Sequence, residues 1–169
     1  MDAFYLKYRP RTLSELEHTA ARELLKKIVA HNEIPHAFLF VGPKGIGKTS
    51  AARILAKILG CPNRKGIDPC NKCEVCQATD RGTNLDIIEI DAASNRGIDD
   101  IREIRDKVNL RPMRAKNKVY IIDEVHMLTQ EAFNGILKTL EEPPEHVYFI
   151  FCTTNQEKIP ETVLSRLTI

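Results

Sequence analysis

Residues 42–49 read Gly42-Pro43-Lys44-Gly45-Ile46-Gly47-Lys48-Thr49 and match the pattern G-x-x-x-x-G-K-[ST]. The apolar run Ala37-Phe38-Leu39-Phe40-Val41 ends directly before the first glycine and predicts a buried strand. After the loop, residues 49–59 carry Ile54, Leu55, Ile58 and Leu59 at helical spacing, and Gly60 ends the predicted helix. A glycine-rich turn between a strand and a helix presents backbone N–H groups to an anion. The stretch therefore predicts a nucleotide-phosphate site.

The same alternation of strands and helices continues along the chain. Apolar runs predict strands at 86–90, 119–122 and 147–152, and helical periodicity appears at 22–32, 99–109 and 129–141. Strands that alternate with helices form βαβ units and a parallel sheet. Because these strands are almost uniformly apolar, helices are expected on both faces. The fold class is therefore α/β, in three αβα layers.

Composition excludes several broad classes of protein. The chain has 169 residues, 43% hydrophobic and 28% charged, which is typical of one folded domain. No apolar run approaches the roughly 18 residues of a membrane span, so an intracellular, cytoplasmic protein without a membrane partner is expected. The net charge of +2 does not indicate a strong polyanion partner. Residues 1–65 nevertheless carry 12 basic and 5 acidic groups, an excess that favours anionic ligands near the phosphate loop or is simply an uneven solvated surface.

Each residue type in the loop has a physical role in binding Mg·ATP. The backbone of residues 42–49 can wrap closely around phosphate oxygens because its glycines carry no side chain. Lys48 is predicted to reach the β- and γ-phosphates, and the Thr49 hydroxyl is predicted to ligate Mg²⁺.

Polar residues at the ends of two further strands extend this site. Asp123 and Glu124 follow an apolar strand, where Asp123 is predicted to hold Mg²⁺ and Glu124 to accept a proton from an attacking water. The alternative is that the two acids only end the strand. Thr153-Thr154-Asn155 ends another strand, and a hydroxyl there is placed to contact the γ-phosphate or the water. His126 is either a residue that senses nucleotide or a histidine behind the site or on the surface.

Four of the five cysteines fall within sixteen residues. Cys61, Cys70, Cys73 and Cys76 have the spacing C-x8-C-x2-C-x2-C, which suits a tetrahedral zinc site. With four thiolates, every position on the metal is filled, so the predicted role is structural and metal binding would supply the folding energy of the inserted module at 61–82. An iron–sulfur cluster, free thiols or a redox disulfide are the alternatives. Cys152 is predicted to be a buried core thiol.

These motifs, in this order, resemble the tau/gamma subunits of bacterial DNA polymerase III, the AAA+ ATPases of the replication clamp loader. The resemblance covers nearly the whole chain. Besides the phosphate loop and the four cysteines, it rests on Tyr8-Arg9-Pro10, His36-Ala37-Phe38-Leu39-Phe40, Ile88-Glu89-Ile90-Asp91-Ala92-Ala93-Ser94, Asp123-Glu124-Val125-His126-Met127-Leu128 and Leu137-Lys138-Thr139-Leu140-Glu141-Glu142-Pro143-Pro144. The delta-prime subunit of the same complex shares the cysteine insertion but typically has a degenerate phosphate loop, and the loop here is intact.

The resemblance implies roles for further residues. Thr154 would be the sensor of the γ-phosphate, and Tyr8 and Arg9 would flank the nucleotide base. Arg166, in Ser165-Arg166, would act in trans on ATP held by a neighbouring subunit. The chain departs from the family at Leu167, where a cysteine is usual, and at Glu17-His18-Thr19, where Val-Gly-Gln is usual.

The resemblance also implies a domain plan and a function. Residues 1–169 would be an AAA+ nucleotide-binding domain that ends before the lid domain, with a last strand expected to begin near Ile169. The function would be ATP hydrolysis coupled to loading a sliding clamp on primer–template DNA, slow in the isolated chain. The partners would be delta, delta-prime, further tau/gamma copies, the clamp and DNA. The alternatives are a nucleotide-responsive scaffold with little turnover and, less favoured, a stand-alone DNA-binding zinc protein.

Overall fold

The computed structural model describes residues 9–94 and 98–169, without the side chains of 98–100. Its strands are β1 (Ala37–Val41), β2 (Ile87–Asp91), β3 (Lys118–Asp123) and β4 (Val147–Thr153). Its α-helices are α1 (Thr19–Ala30), α2 (Lys48–Gly60), α3 (Glu74–Arg81), α4 (Ile98–Lys107), α5 (Gln130–Glu141) and α6 (Glu161–Leu164). Single 3₁₀ turns lie at Leu13–Glu15, Val125–Met127 and Gln156–Lys158.

The strands form one parallel sheet in the order β1-β4-β3-β2. Its register places Val41 beside Thr153, and Asp91 beside Asp123. The carboxyl ends of all four strands therefore meet at one edge of the sheet, which is where ligands bind in open α/β sheets. We call this the carboxyl edge, and the opposite one the amino edge.

Helices cover both faces of the sheet, as the apolar strands predicted. Tyr120, Ile122, Phe149 and Phe151 point to one face, where they pack with residues of α4 and α5. Alternate residues of the same strands, Val119, Ile121, Ile150 and Cys152, point to the other face and pack with α1 and α2. This confirms the α/β fold class with its three layers, and it confirms Cys152 as a fully buried thiol.

Element boundaries differ from the predictions by one to three residues, for local reasons. Helix α1 begins at Thr19 instead of residue 22 because the His18 ring accepts a hydrogen bond from the Ala21 N–H at 3.2 Å. It ends before Asn32, which has φ +59°. Asp86 was predicted to start a strand, but its carboxylate accepts three backbone N–H groups from residues 113–115, and β2 begins at Ile87.

The inserted module contains a helix that the sequence pattern did not predict. Helix α3 begins after Cys73, whose sulfur accepts from the Cys76 N–H at 3.5 Å, and ends at Gly82 with φ +73°. A left-handed residue at this position is a common helix stop, and glycine adopts it without strain.

The last described residues approach β1. The Thr168 N–H donates to the Ala37 carbonyl at 3.0 Å, and the Leu39 N–H donates to the Thr168 carbonyl at 2.8 Å. This is a parallel bridge on the outer side of β1, where the sequence predicted a further strand to begin.

Candidate nucleotide site and cysteine cluster

The phosphate loop joins β1 to α2 at the carboxyl edge. The Gly42 N–H donates to the Thr153 carbonyl at 3.2 Å, which fixes the start of the loop on β4. Gly45 and Gly47 have φ of +85° and +98°, conformations that side chains disfavour. Gly47 is the residue before α2, so the free N–H groups of the first helical turn face the space inside the loop.

Lys48 is folded onto its own loop. Its ammonium donates to the Gly42 carbonyl at 2.8 Å and to the Pro43 carbonyl at 2.9 Å. Phosphate oxygens are charged acceptors and make stronger hydrogen bonds than neutral carbonyls. A bound phosphate can therefore replace these partners without leaving the ammonium unpaired.

Thr49 and Asp123 come together across the sheet edge. The Thr49 hydroxyl donates to Asp123 Oδ2 at 2.8 Å, although 74 residues separate them. The other carboxylate oxygen of Asp123 accepts the Glu124 N–H at 2.9 Å. A hydroxyl and a carboxylate that converge here are oxygen donors of the kind Mg²⁺ takes beside a phosphate, so the residues fit that ion.

Glu124 leaves β3 in an unusual backbone conformation. Its φ and ψ are +51° and +42°, the left-handed region, which is costly for a residue with a side chain. This conformation directs the chain out of β3 and into the 3₁₀ segment Val125–Met127. Glu124 thereby reaches the end of β4, where the Thr154 hydroxyl donates to its Oε2 at 3.4 Å.

His126 lies behind this pair. Its side chain is 8% exposed. Its Nδ1 is 2.8 Å from Thr153 Oγ1, and its Nε2 is 3.4 Å from Glu124 Oε2. The histidine thus contacts the strand end and the acid, in agreement with a position behind the site and not on the surface.

The predicted trans-acting arginine lies apart from the loop, and of the two predicted base-flanking residues the structure describes only Arg9. Arg9 is half-buried, and Tyr8 lies outside the described residues. Arg166 is exposed and pairs with Glu141 at 3.0 Å. Because Thr168 pairs with the first residues of β1, Arg166 lies toward the amino edge and not beside the loop of its own chain.

The four cysteine sulfurs form a compact cluster, with all Sγ atoms within 4.8 Å of one another. Cys61 and Cys73 are 3.8 Å apart, and Cys70 and Cys76 are 3.9 Å apart. Zn–S bonds of about 2.3 Å give a tetrahedron with S–S edges of about 3.8 Å, so the donor set fits zinc in number and spacing.

The backbone around the cluster favours ionised sulfur at Cys70. Burial opposes ionisation of this thiol, but N–H groups of Lys72 and Cys73, at 3.4 and 3.2 Å, outweigh it and lower the pKa of Cys70 to about 6. Burial raises the pKa of Cys61 and Cys76. A metal ion would have to displace the protons from these two thiols on binding.

Polar contacts join the module to the body of the domain. Lys57, 1% exposed in α2, donates to Asn71 Oδ1 at 2.8 Å and to Asp80 Oδ1 at 3.0 Å. The Leu13 N–H donates to Asp68 at 3.0 Å, and the Asn71 amide donates to the Arg11 carbonyl at 3.1 Å. The module therefore sits at the carboxyl end of α2, a helix length away from the phosphate loop.

Reasoning from sequence missed Lys57 and the contact of Thr153 with His126. A signal for Lys57 was present, because it lies three residues after Ile54 and four before Cys61, on the buried face of the predicted helix. Thr153 gave no comparable signal, since its role depends on a histidine 27 residues away.

A cavity of about 490 Å³ lies at the amino edge of the sheet, away from the phosphate loop. Its walls include Asp86, Lys107, Leu110, Met113 and Lys118.

A profile of the family described as DNA polymerase III, delta subunit, matches residues 17–169. The chain belongs to this family of DNA polymerase III subunits. Within the chain, the match includes the phosphate loop, the cysteine cluster and the acids after β3.

Curated relatives identify the branch that the chain resembles. The DNA polymerase III subunit tau of Bacillus subtilis is 50% identical over 167 residues, covering 97% of this chain and 29% of the relative. The tau/gamma subunit of Haemophilus influenzae is 48% identical over 165 residues, covering 95% and 23%. The resemblance to tau/gamma subunits is confirmed, and the chain spans about a quarter of the length of these relatives.

Solved structures agree on the fold. A DNA polymerase III gamma subunit-related protein from Thermotoga maritima has a TM-score of 0.55 at 25% identity, covering 86% of this chain and 43% of that one. The RuvB Holliday junction branch migration motor of Thermotoga maritima has a TM-score of 0.63 at 19% identity, covering 96% and 47%. The likeness to RuvB shows the shared AAA+ fold alone.

Within the described residues, no helix is long and apolar enough to cross a membrane.

Proposed function

We propose that this chain is the ATP-binding and ATP-hydrolysing part of a bacterial clamp-loader subunit. One observation carries the proposal. Lys48 and Thr49 on α2, Asp123 and Glu124 at the end of β3, and Thr154 after β4 converge at the carboxyl edge, joined by the Thr49–Asp123 and Thr154–Glu124 hydrogen bonds. A phosphate-binding loop, two acids and a hydroxyl are the parts that phosphoryl transfer to water requires.

The proposed roles follow from the chemistry of each group. Backbone N–H groups of residues 42–49 and the Lys48 ammonium bind and neutralise phosphate oxygens. Thr49 and Asp123 would hold Mg²⁺, which supplies charge neutralisation at the phosphates when bound. Glu124 orients a water and takes its proton, and Thr154 reports the γ-phosphate to Glu124. Tyr8 and Arg9 would flank the base.

Arg166 is proposed to act on a neighbouring subunit. Its position toward the amino edge supports this, because an arginine there cannot reach the phosphate loop of its own chain. Its exposed pairing with Glu141 leaves it accessible to a partner. An arginine supplied in trans stabilises charge in the transition state, and without one the isolated chain is expected to hydrolyse ATP slowly.

The wider role is proposed from the family. The partners would be delta, delta-prime and further tau/gamma subunits, the sliding clamp and primer–template DNA, in the cytoplasm. ATP binding would favour a state that opens the clamp, and hydrolysis would release clamp and DNA. In this plan residues 1–169 are the nucleotide-binding domain and residues 61–82 a zinc module with a structural role.

Replacement of Glu124 tests the enzymatic proposal. In the full-length protein assembled with its partner subunits, Glu124→Gln keeps size and hydrogen bonding but cannot accept a proton. We expect ATP affinity within twofold of the wild type and hydrolysis about 100- to 10,000-fold slower. Unchanged hydrolysis would remove Glu124 as the base, and absent turnover in the wild-type complex would favour the scaffold.

The zinc proposal has its own test. We expect one zinc per wild-type chain by elemental analysis, and none for Cys76→Ser, together with faster amide exchange across 61–82. Cys152→Ala is the matched control, because it removes the remaining cysteine from the sheet core and is expected to keep one zinc. Iron or no metal in the wild-type chain would refute the assignment.

A further inference from the structure

His126 makes two polar contacts that the proposed roles above do not use. One is with Thr153, which is 0% exposed, and the other is with Glu124, the proposed base. His126 also differs from the neighbouring site groups in burial: Thr154 is exposed, whereas the His126 side chain is 8% exposed. It is therefore placed to act on Glu124 and not to meet a ligand itself.

The proton positions can be assigned from the partners. The Thr153 oxygen accepts the Asn155 N–H at 3.0 Å, and its one proton can at the same time be donated to His126 Nδ1 at 2.8 Å. Nδ1 is then an acceptor and the ring proton is on Nε2. In the opposite tautomer the Nε2 lone pair would face a Glu124 carboxylate oxygen at 3.4 Å, which is repulsive.

We propose that His126, oriented by Thr153, is a positioning residue that holds Glu124 through an Nε2–H hydrogen bond and so couples the base to the end of β4. This rests on the proposed function of Glu124. Within the described part of the chain, the side-chain contacts of the carboxylate, from His126 and Thr154, both fall on Oε2. Oε1 is the oxygen that takes the proton of the water.

Glu124 is joined to the end of β4 by a continuous set of contacts. Thr153, Thr154 and Asn155 are consecutive at the end of β4. Thr154 touches Glu124 directly, Thr153 touches it through His126, and the Asn155 N–H holds the Thr153 oxygen. A shift of this strand end on binding a γ-phosphate would move both contacts of Glu124 together. Two contacts on one oxygen also restrain a side chain whose backbone is already in a strained conformation.

The kinetic test uses three replacements in the full-length protein in its assembled complex. Gln places an amide N–H near the position of Nε2, whereas Asn places one near Nδ1 and Ala removes both. We expect His126→Ala and His126→Asn to lower kcat about 10- to 100-fold, as for loss of one hydrogen bond to a charged group, with ATP affinity within twofold. His126→Gln is expected to recover most of kcat.

A spectroscopic test does not depend on turnover. In protein labelled with ¹⁵N at histidine, the His126 resonances should report a proton on Nε2 and a bare Nδ1. Thr153→Val removes the donor to Nδ1 and should move the Nδ1 resonance to that of a free acceptor while the proton stays on Nε2 beside Glu124, whereas Thr153→Ser keeps the hydroxyl and should change neither resonance.

The results of these tests distinguish failure of the positioning role from failure of the proposed function. A proton on Nδ1 in the wild type, or an unchanged kcat in His126→Ala when the wild type hydrolyses ATP normally, would overturn the positioning role alone. Loss of ATP affinity in parallel with kcat would overturn it in favour of direct contact with nucleotide. If the wild-type complex binds ATP without hydrolysing it, the proposed function fails and the positioning role fails with it, whatever the nitrogen shifts.

Discussion

The two edges of the sheet each carry an aspartate and a lysine, yet these groups have opposite surroundings. At the amino edge, Asp86 is 3% exposed and accepts N–H groups of Met113, Arg114 and Ala115 at 2.8–2.9 Å. Lys118, 5% exposed, donates to the Lys107 carbonyl at 2.7 Å. Both side chains are buried with these partners, so ligands do not displace the contacts.

At the carboxyl edge the same residue types have exchangeable partners. Asp123 receives the hydroxyl of Thr49, and Lys48 donates to two carbonyls of its own loop. A buried side chain with such partners stabilises the fold, whereas a half-buried one such as Asp123 or Lys48 remains available to a metal or a phosphate. The residue type alone does not distinguish the two roles; burial does.

The largest expected effect comes from replacing Asp86 at the amino edge. Asp86→Ala leaves three backbone N–H groups, one of them buried, without their charged acceptor, so we expect the free energy of unfolding to fall by about 3–5 kcal/mol. Chemical denaturation measures it. Asp123→Ala, the matched change at the carboxyl edge, is expected to cost less than about 1 kcal/mol but to abolish Mg²⁺-dependent ATP binding. Equal destabilisation by the two changes would contradict the contrast between the edges.

Replacing the lysine at each edge is expected to have somewhat smaller effects, on ATP binding for Lys48 and on stability for Lys118. Lys48→Met is expected to weaken ATP binding about 100-fold, since a charge-assisted contact to phosphate contributes about 1.5–3 kcal/mol, and to leave the melting temperature unchanged. Lys118→Met should leave ATP affinity unchanged and lower the free energy of unfolding by about 1 kcal/mol. Titration calorimetry and thermal melts on both variants check this. A loss of affinity in Lys118→Met would show that the edges are not independent.

The smallest effect is a dependence of stability on pH. Burial of the Asp86 carboxyl is outweighed by the N–H groups of Ala115, Arg114 and Met113, with Lys118 adding to them, and the pKa of Asp86 is lowered. The ionised form therefore stabilises the fold above the unfolded-state pKa of about 3.9, and this contribution is lost as pH falls through the folded-state pKa.

The measurement compares the free energy of unfolding of wild type and Asp86→Asn between neutral pH and about pH 2.5. We expect the wild-type advantage to be constant near neutrality and to shrink below about pH 4. A difference that persists unchanged in acid would mean that the carboxylate is not the stabilising form.

The sequence predicted most of the fold, and most of the residues that meet at the candidate nucleotide site, because its signals are local. Residues 42–49 and the apolar strands around them encode a strand, a turn and a helix within about twenty residues. Strand order and strand-end pairing could not be obtained in this way. Asp86 finds its partners 27–29 residues along the chain, and His126 finds Thr153 after 27 residues, so both depend on how distant segments pack.

The module shows the same limit on a smaller scale. Cysteine spacing predicted that the four thiols lie together, since four cysteines within sixteen residues need no long-range information. The contacts that hold the module on the domain could not be predicted in this way, because Lys57, Asn71 and Asp80 are brought together only when α3 folds against α2.

Helix α2 joins the two predicted anionic centres and also sets the distance between them. Its 13 residues span about 20 Å, with the phosphate loop at one end and Cys61 directly after the other. This is about twice the Debye length in 0.1 M salt, so a zinc–thiolate centre of net charge about −2 and a bound triphosphate would be screened from each other. The chain can thus carry two concentrated negative charges on one helix without mutual repulsion, and each site can be filled whatever the electrostatic state of the other.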